Sequence, residues 1–246
     1  LDSAMITKKS YAIKVIDKDS LFIKADSLFA IGPPNERKIK GRFNVKIFKN
    51  NMSGRSDKIL IDEKSGITKL LRNKLSSRQT QIMTEKEITK INPIIWIANN
   101  QMTGDEIHIT RDLKTNNLDS LKILNNAFVI EKDTLGQNNF NQIKGITLLG
   151  KFLNNNLNKV QLIQNTQMVY YLYDDQTKKL IGIDKAICSS IVMDIKNNAI
   201  REITFYTDPE GEVSPEKDLD ENLKILNGFD WRINEKINDK SKIFDN

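Results

Sequence analysis

The residues able to do chemistry in this chain are few, and their spacing suits catalysis poorly. His108 is the single histidine and Cys188 the single cysteine. A zinc site of the usual His/Cys kind needs three or four such ligands, so none is expected. A Ser-His-Asp triad would have to use His108. His108 alternates with Ile107 and Ile109, the pattern of an outward-facing strand position. Cys188 sits in Ile187-Cys188-Ser189-Ser190-Ile191, reads as a small buried hydrophobe, and permits no intrachain disulfide. Carboxylates occur as close pairs: Asp62-Glu63, Asp105-Glu106, Asp174-Asp175, and Asp218 with Asp220-Glu221. Adjacent strand residues point to opposite faces, so such pairs make poor acid/base partners. The chain contains no Gly-rich phosphate loop, nucleophile elbow, His-Glu-x-x-His motif or twelve-residue Ca²⁺ loop. The expectation is a protein that is not an enzyme, with no metal and no cofactor.

Composition narrows the class further. The chain has 246 residues, enough for one large domain or two small ones, and is 39% hydrophobic and 28% charged. That balance excludes a membrane-embedded bundle and a fully disordered chain. Only 7% is aromatic, against 34 isoleucines and 27 asparagines, so the core must be aliphatic. Ile favours pleated, half-buried surfaces, and Asn favours turns and left-handed backbone. The net charge is +6, with the densest basic stretch at Arg37, Lys38, Lys40, Arg42, Lys46 and Lys49. Nucleic acid, an anionic lipid or plain solvation would each suit this charge. Nucleic acid is disfavoured, because the one aromatic cluster, Tyr170-Tyr171-Leu172-Tyr173, has no cation after it until Lys178. Lack of disulfides is usual in the cytosol and compatible with a periplasm. The chain starts at Leu1 without Met and shows neither a signal peptide nor an apolar run of membrane-spanning length. A processed product, with residues preceding Leu1, is expected.

The elements that would position any site are strands. Apolar residues recur two apart at Leu21 and Ile23, Val45 and Ile47, Ile59 and Ile61, Ile107 and Ile109, Leu121 and Ile123, Val160 and Leu162, and Ile191, Met193 and Ile195. Turn signals separate them: Asn50-Asn51 to Gly54, Glu63 to Gly66, Asn116-Asn117, Asn125-Asn126, Asn154 to Asn156, and Asn197-Asn198. A short theme repeats, in which an Asp opens a strand and apolar residues follow two apart. It begins at Asp19, Asp26, Asp57, Asp105 and Asp119. Such units predict a layered all-β roll that grows by stacking similar rungs. The polar segment 76–90 is expected to be a short helix or an excursion, with Thr84 as a helix cap. Ser214-Pro215 predicts a C-terminal helix ending at Gly228, with Leu219, Leu223 and Leu226 on one face and Phe229 and Trp231 fixing it to the sheet. The roll is assigned to residues 1–213, and the helix and tail to 214–246. The end, from Asn234, is polar and expected to be loose.

Three segments together carry a resemblance. They are Gly41-Arg42-Phe43-Asn44-Val45-Lys46-Ile47 leading to Ser53-Gly54-Arg55-Ser56-Asp57; Asn92-Pro93-Ile94-Ile95-Trp96 followed by Asn100-Gln101-Met102-Thr103-Gly104-Asp105; and Asn139 to Gly145 with Gly150-Lys151-Phe152. With the ending Gly228-Phe229-Asp230-Trp231-Arg232, the chain resembles the OstA-like family of Gram-negative bacteria, which includes the lipopolysaccharide-transport protein LptA. The resemblance implies an LptA-like β-jelly roll, or β-taco, located in the periplasm. It also implies a role in outer-membrane biogenesis, shielding lipopolysaccharide acyl chains in an apolar groove between the two membranes. Partners would be lipopolysaccharide or a related glycolipid, other transport components joined by edge-strand pairing, and another copy of the chain in a homo-oligomer. The groove candidates on alternation are Ile59, Ile61, Ile107, Ile109, Leu121, Ile123, Val160 and Leu162. The candidates for an anionic headgroup are Arg37, Lys38, Lys40 and Arg42. The competing reading is a closed roll, filled by its own side chains, that serves protein partners without lipid cargo. The chain is larger than a minimal carrier and begins in mid-pattern, so it is expected to be the later part of a longer protein carrying another copy of the roll.

Overall fold

The computed structural model describes residues 3–15, 20–50, 52–136, 138–196 and 199–244, excepting the side chains of Lys9, Thr80 and Ala199. Asp19, Asn51 and the Asn197-Asn198 pair lie outside the described residues.

The alternating apolar segments pair into one 14-stranded antiparallel sheet. Its strands are β1 (Ser3–Lys14), β2 (Leu21–Ile31), β3 (Lys38–Lys49), β4 (Met52–Asp62), β5 (Ile67–Leu71), β6 (Ile94–Ile97) and β7 (Asn100–Thr103). They continue with β8 (Glu106–Arg111), β9 (Leu118–Lys132), β10 (Phe140–Leu153), β11 (Asn156–Tyr173), β12 (Leu180–Lys196), β13 (Ala199–Tyr206) and β14 (Glu210–Ser214). Strands β5 and β6 both pair with β4, so they are two halves of one rung with residues 72–93 looped out between them. Strands β7 and β8 share β9 in the same way, and β13 and β14 share β12. The result is a meander of bent rungs, each paired with the next along the chain.

The bend lies at one level across the sheet. Register shifts fall between Thr7/Ser10, Lys24/Ser27, Arg42/Val45, Gly145/Thr147 and Ile163/Thr166. The backbone is left-handed there at Lys8, Phe43-Asn44, Asn125-Asn126 and Gln164-Asn165. Bulges bend strands, so this line is a crease that divides the sheet into two walls. Asn125-Asn126 is therefore not the expected turn: it is a crease bulge inside β9, where Asn tolerates positive φ. The expected Asp theme is corrected in part. Asp26 and Asp57 lie inside β2 and β4 at the crease and do not open strands, whereas Asp105 directly precedes β8 and Asp119 is the second residue of β9, as expected. Asp26 accepts from Asn44 Nδ2 (2.7 Å), Asp57 from the Asn73 backbone N–H (2.8 Å), and Asp105 from Asn126 Nδ2 (3.0 Å). Each pair links the crease of one rung to that of another.

The excursion 76–90 forms two short helices, α1 (Ser77–Ile82) and α2 (Glu85–Ile91), each with a full capping box, at Ser76/Gln79 and Thr84/Glu87. Thr84 caps α2 as expected.

The expected C-terminal helix does not form. Ser214 ends β14, and the segment after it makes two 3₁₀ turns, Glu216–Asp218 and Glu221–Lys224, with Leu219 and Ile225 extended. Tertiary contacts override the helical pattern: Leu219 and Leu226 pack on Val169, Tyr171 and Ile183. The side chain of Gln142 captures the backbone that a helix would have used, donating to Lys224 O (2.9 Å) and accepting from Leu226 N (2.9 Å). The tail is not loose either. Phe229 meets Phe140 edge-on and Trp231 meets it at a tilt, both with ring centroids 5.3 Å apart. Ile237 and Ile243 are buried, which is worth roughly 1.5–3 kcal/mol each. Phe244 meets Tyr11 edge-on at 5.4 Å. The segment 215–244 thus runs as a strap over the outer face of one wall, from the last rungs back to the first. Both faces of that wall are covered, which explains the unbroken burial of Ile94, Ile95, Trp96 and Ile97. The other wall has no such cover among the described residues.

Candidate functional site

The eight apolar candidates fall on two neighbouring cross-strand rows on the inner face of the bare wall. One row runs Ile6, Leu28, Gly41, Ile59, Leu70, Ile107, Ile123, Leu148, Leu162 and Ile191. The other runs Ala4, Ala30, Ile39, Ile61, Thr68, Ile109, Leu121, Gly150, Val160 and Met193. All eight candidates are between 0% and 5% exposed and join one core cluster. Facing them, the strapped wall contributes Ile23, Ile47, Ile95, Met102, Val129, Ile143 and Met168 to the same core.

The space between the walls is uneven. Opposite the crease the wall tips approach each other along a seam, and cavities there shrink from the β1 end onward. The first, about 270 Å³, lies between Ala12 and Ile23 of one wall and Ala4, Ile6, Leu28, Ala30 and Ile39 of the other. The next is about 40 Å³, between Ile47 and Met52 on one side and Thr68 and Ile109 on the other. The third is about 20 Å³, between Met102, Val129 and Ile143 and, facing them, Val160, Met193 and Ile195. Ile109 and Val160 thus line small voids, and the other six candidates line none of these three. The interior is a cleft that opens at the first rungs and is filled by its own side chains beyond them.

Charge along the seam follows the same direction. Lys14, Arg37 and Glu63 rim the large opening, and Lys14 Nζ reaches Glu63 Oε1 across it at 2.8 Å. Lys49 and Arg111 border the second void, whereas Glu131, Asn100 and Asn141 border the third. Burial raises the Glu131 carboxyl above its ordinary range, partly offset by a hydrogen bond from Asn141, and burial raises Asp184 as well. The mouth is cationic and the far end is a desolvated acidic lip.

The four headgroup candidates separate. Lys38, Lys40 and Arg42 are exposed, and Lys40 stands between Phe29 and Leu60, so these three face outward on the bare wall. Arg37 alone reaches the mouth. Sequence reasoning missed Lys14, Ile6, Leu28 and Ile39 as mouth residues. Alternation shows which residues face inward, but which rung stands at the free end depends on strand order. His108 bonds Glu106 Oε2 (2.9 Å) on the outer side of β8, and Cys188 is buried beside the Thr166 hydroxyl (3.0 Å). The tyrosine cluster is partly enclosed: burial, with nearby carboxylates, pushes Tyr171 and Tyr173 up to about 12, and Tyr173 donates to Asp133.

At the mouth, β1 pairs with β2 and with no other described strand. It also exposes Met5, Ile6, Tyr11 and Ile13. An unpaired, apolar strand edge is a template for another strand.

One similar solved structure is the crystal structure of LptH from Pseudomonas aeruginosa, described as the LptA-homologous periplasmic component of the conserved lipopolysaccharide transport device. The TM-score is 0.44 at 12% identity, and the match covers 68% of this chain and 96% of that one. No family model and no curated protein matches the chain.

Proposed function

We propose that the roll is a periplasmic carrier that shelters the acyl chains of lipopolysaccharide, or a related glycolipid, between its walls. The observation that carries this reading is the aliphatic cleft that opens at the β1 end under a cationic rim. Apolar surface there recognises acyl chains by area alone, at roughly 0.8 kcal/mol per buried CH₂. Lys14 and Arg37 stand where the phosphates of an anionic headgroup would lie. The opening, about 270 Å³, is close to the lower bound of ordinary ligand pockets, roughly 300 Å³. It takes the end of a chain, and deeper entry toward Ile59, Ile61, Ile107, Ile109, Leu121, Ile123, Val160 and Leu162 requires the walls to part. The exposed edge of β1 is the place for strand pairing with another transport component or a second copy, which would continue the cleft from one roll to the next. This reading involves no reaction and no nucleic acid.

A photo-crosslinking amino acid tests it. Placed at Leu28 or Ile39 it should capture lipopolysaccharide in an envelope, with weaker capture at Ile107 and none at outward Lys122. Capture at Lys122 alone would refute the cleft. One observation favours a second reading. Beyond the mouth the interior is closed, as a protein-interaction module without cargo requires. That module would crosslink to protein through β1 and to no lipid at any interior position.

A further inference from the structure

The outer face of the bare wall carries cations that neither the cleft nor the core uses. Lys38, Lys40 and Arg42 on β3, Lys58 on β4, Lys69 on β5 and Lys122 on β9 alternate with inward residues, so all six point outward. None of the six has a hydrogen-bond or ion-pair partner among the described residues. Arg42 is directly opposite Lys58, and Lys69, His108 and Lys122 follow one another across β5, β8 and β9. Like charges in facing positions are unfavourable unless an outside anion offsets them. The same rows of these strands hold two carboxylates, and both are engaged. Asp62 accepts from the Lys64 and Ser65 backbone N–H groups, and Glu106 bonds His108. Six cations against two acids leave this face four charges positive, in a chain whose whole net charge is +6. Farther along the wall the cations are matched: Lys151 pairs with Asp119 and Lys159 with Asp194. A second, independent feature belongs to the same face. Toward the β1 end, Met5, Phe29 and Ile31 are 69%, 39% and 48% exposed. Phe29 is directly opposite Lys40, and Ile31 opposite Lys38, so large apolar side chains adjoin the unpaired cations. That combination suits a bilayer surface, where acyl chains lie beneath anionic headgroups. Nucleic acid would call for a row of stacking aromatics, which this face lacks among its described residues.

We propose that this face docks the roll on the surface of an anionic phospholipid bilayer, with the six cations at the headgroup phosphates and Met5, Phe29 and Ile31 at the acyl boundary. The three apolar residues stand on the first two strands, so docking brings the mouth of the cleft to the membrane. The docking face is the opposite side of the wall from the cleft, and its use does not depend on acyl-chain binding. Outward Lys122 thus meets phospholipid and not lipopolysaccharide.

The test is flotation of the full chain at low ionic strength with vesicles of equal parts phosphatidylethanolamine and phosphatidylglycerol and, as a control without net charge, vesicles of phosphatidylcholine. The chain should float with the anionic vesicles and not with the control, and high salt should weaken the binding. Lys40→Gln combined with Lys122→Gln should weaken it at least about tenfold, since each cation near an anionic surface is worth about fivefold. Lys86→Gln combined with Lys217→Gln, exposed on α2 and the strap, removes the same charge and should bind as the parent does. Phe29→Ser should also weaken binding, by about threefold or more. An unchanged Tm shows that each variant folds. Absence of binding to anionic vesicles, unchanged binding in the Lys40 and Lys122 variant, or equal loss in both lysine pairs overturns the docking face. A folded Phe29→Ser variant that binds as the parent does overturns the bilayer as its occupant and points to an acidic protein or another polyanion.

Discussion

Gln101 holds Arg232 and the residue two before it at once: Gln101 Nε2 donates to Asp230 O at 2.7 Å, and Gln101 Oε1 accepts from Arg232 N at 2.7 Å. Gln142 does the same farther along the strap, with Lys224 and Leu226. Both glutamines are 1% exposed. Each supplies one donor and one acceptor, as a neighbouring strand would. Removing either amide leaves two strap backbone groups unpaired in a buried setting, which costs about 1–3 kcal/mol per group. Gln101→Ala and Gln142→Ala should each lower the urea midpoint strongly, whereas Gln176→Ala, in an exposed turn, should leave it unchanged. Equal midpoints for all three would show that the strap is not held by these side chains.

The crease makes a separate demand on the backbone. Asn125 and Asn126 sit at φ 53° and 54°. A β-branched residue there clashes, at roughly 1–2 kcal/mol per position, whereas Gly adopts the conformation freely. Asn125→Val should therefore lose about 1–2 kcal/mol in thermal or chemical unfolding, and Asn125→Gly well under that. A Val variant as stable as the parent would mean that the rung does not bend at this residue.

These two features show where legibility in the sequence stops. The inward rows could be read because alternation is local: Ile59 and Ile61, or Ile107 and Ile109, share a face whatever the sheet order. The Asn pairs were visible too, but two left-handed residues serve a turn and a crease equally well. Asn154-Asn155 is a turn and Asn125-Asn126 is a bulge, and only the partner strands distinguish them. The strap was misread because Ser214-Pro215 and the leucine spacing satisfy local helix rules, while Gln142, at a separation of 84 residues from Leu226, takes the backbone away. The mouth, with Lys14 and Ile39, depends on which rung is terminal, which no window of residues encodes.

The acidic lip gives a pH prediction. Burial raises the Glu131 carboxyl above the ordinary 4.5, so the folded state binds its proton more tightly than the unfolded state does. Stability therefore falls as pH rises from the unfolded value through the folded one, and remains lower above it. Glu131→Gln should remove that fall, so that the difference in Tm between variant and parent grows in the variant's favour from acid to neutral pH. A constant difference across this range would show that Glu131 is not desolvated.

The Lys14–Glu63 pair decides whether the mouth is latched. It joins the two walls across the seam, and the side chains are only 20% and 12% exposed. Partly exposed pairs contribute about 1 kcal/mol or less to global stability, so Glu63→Gln should unfold nearly as the parent does. Its effect should instead be local: without the pair, the tips bordering the opening are free to separate. A neutral apolar dye such as N-phenyl-1-naphthylamine should then bind the variant more strongly, with higher fluorescence at equal protein concentration. High salt should move the parent toward the variant, because ions screen the pair. If dye binding is identical in parent and variant at low salt, the opening is set by the apolar walls alone and the ion pair is not a latch.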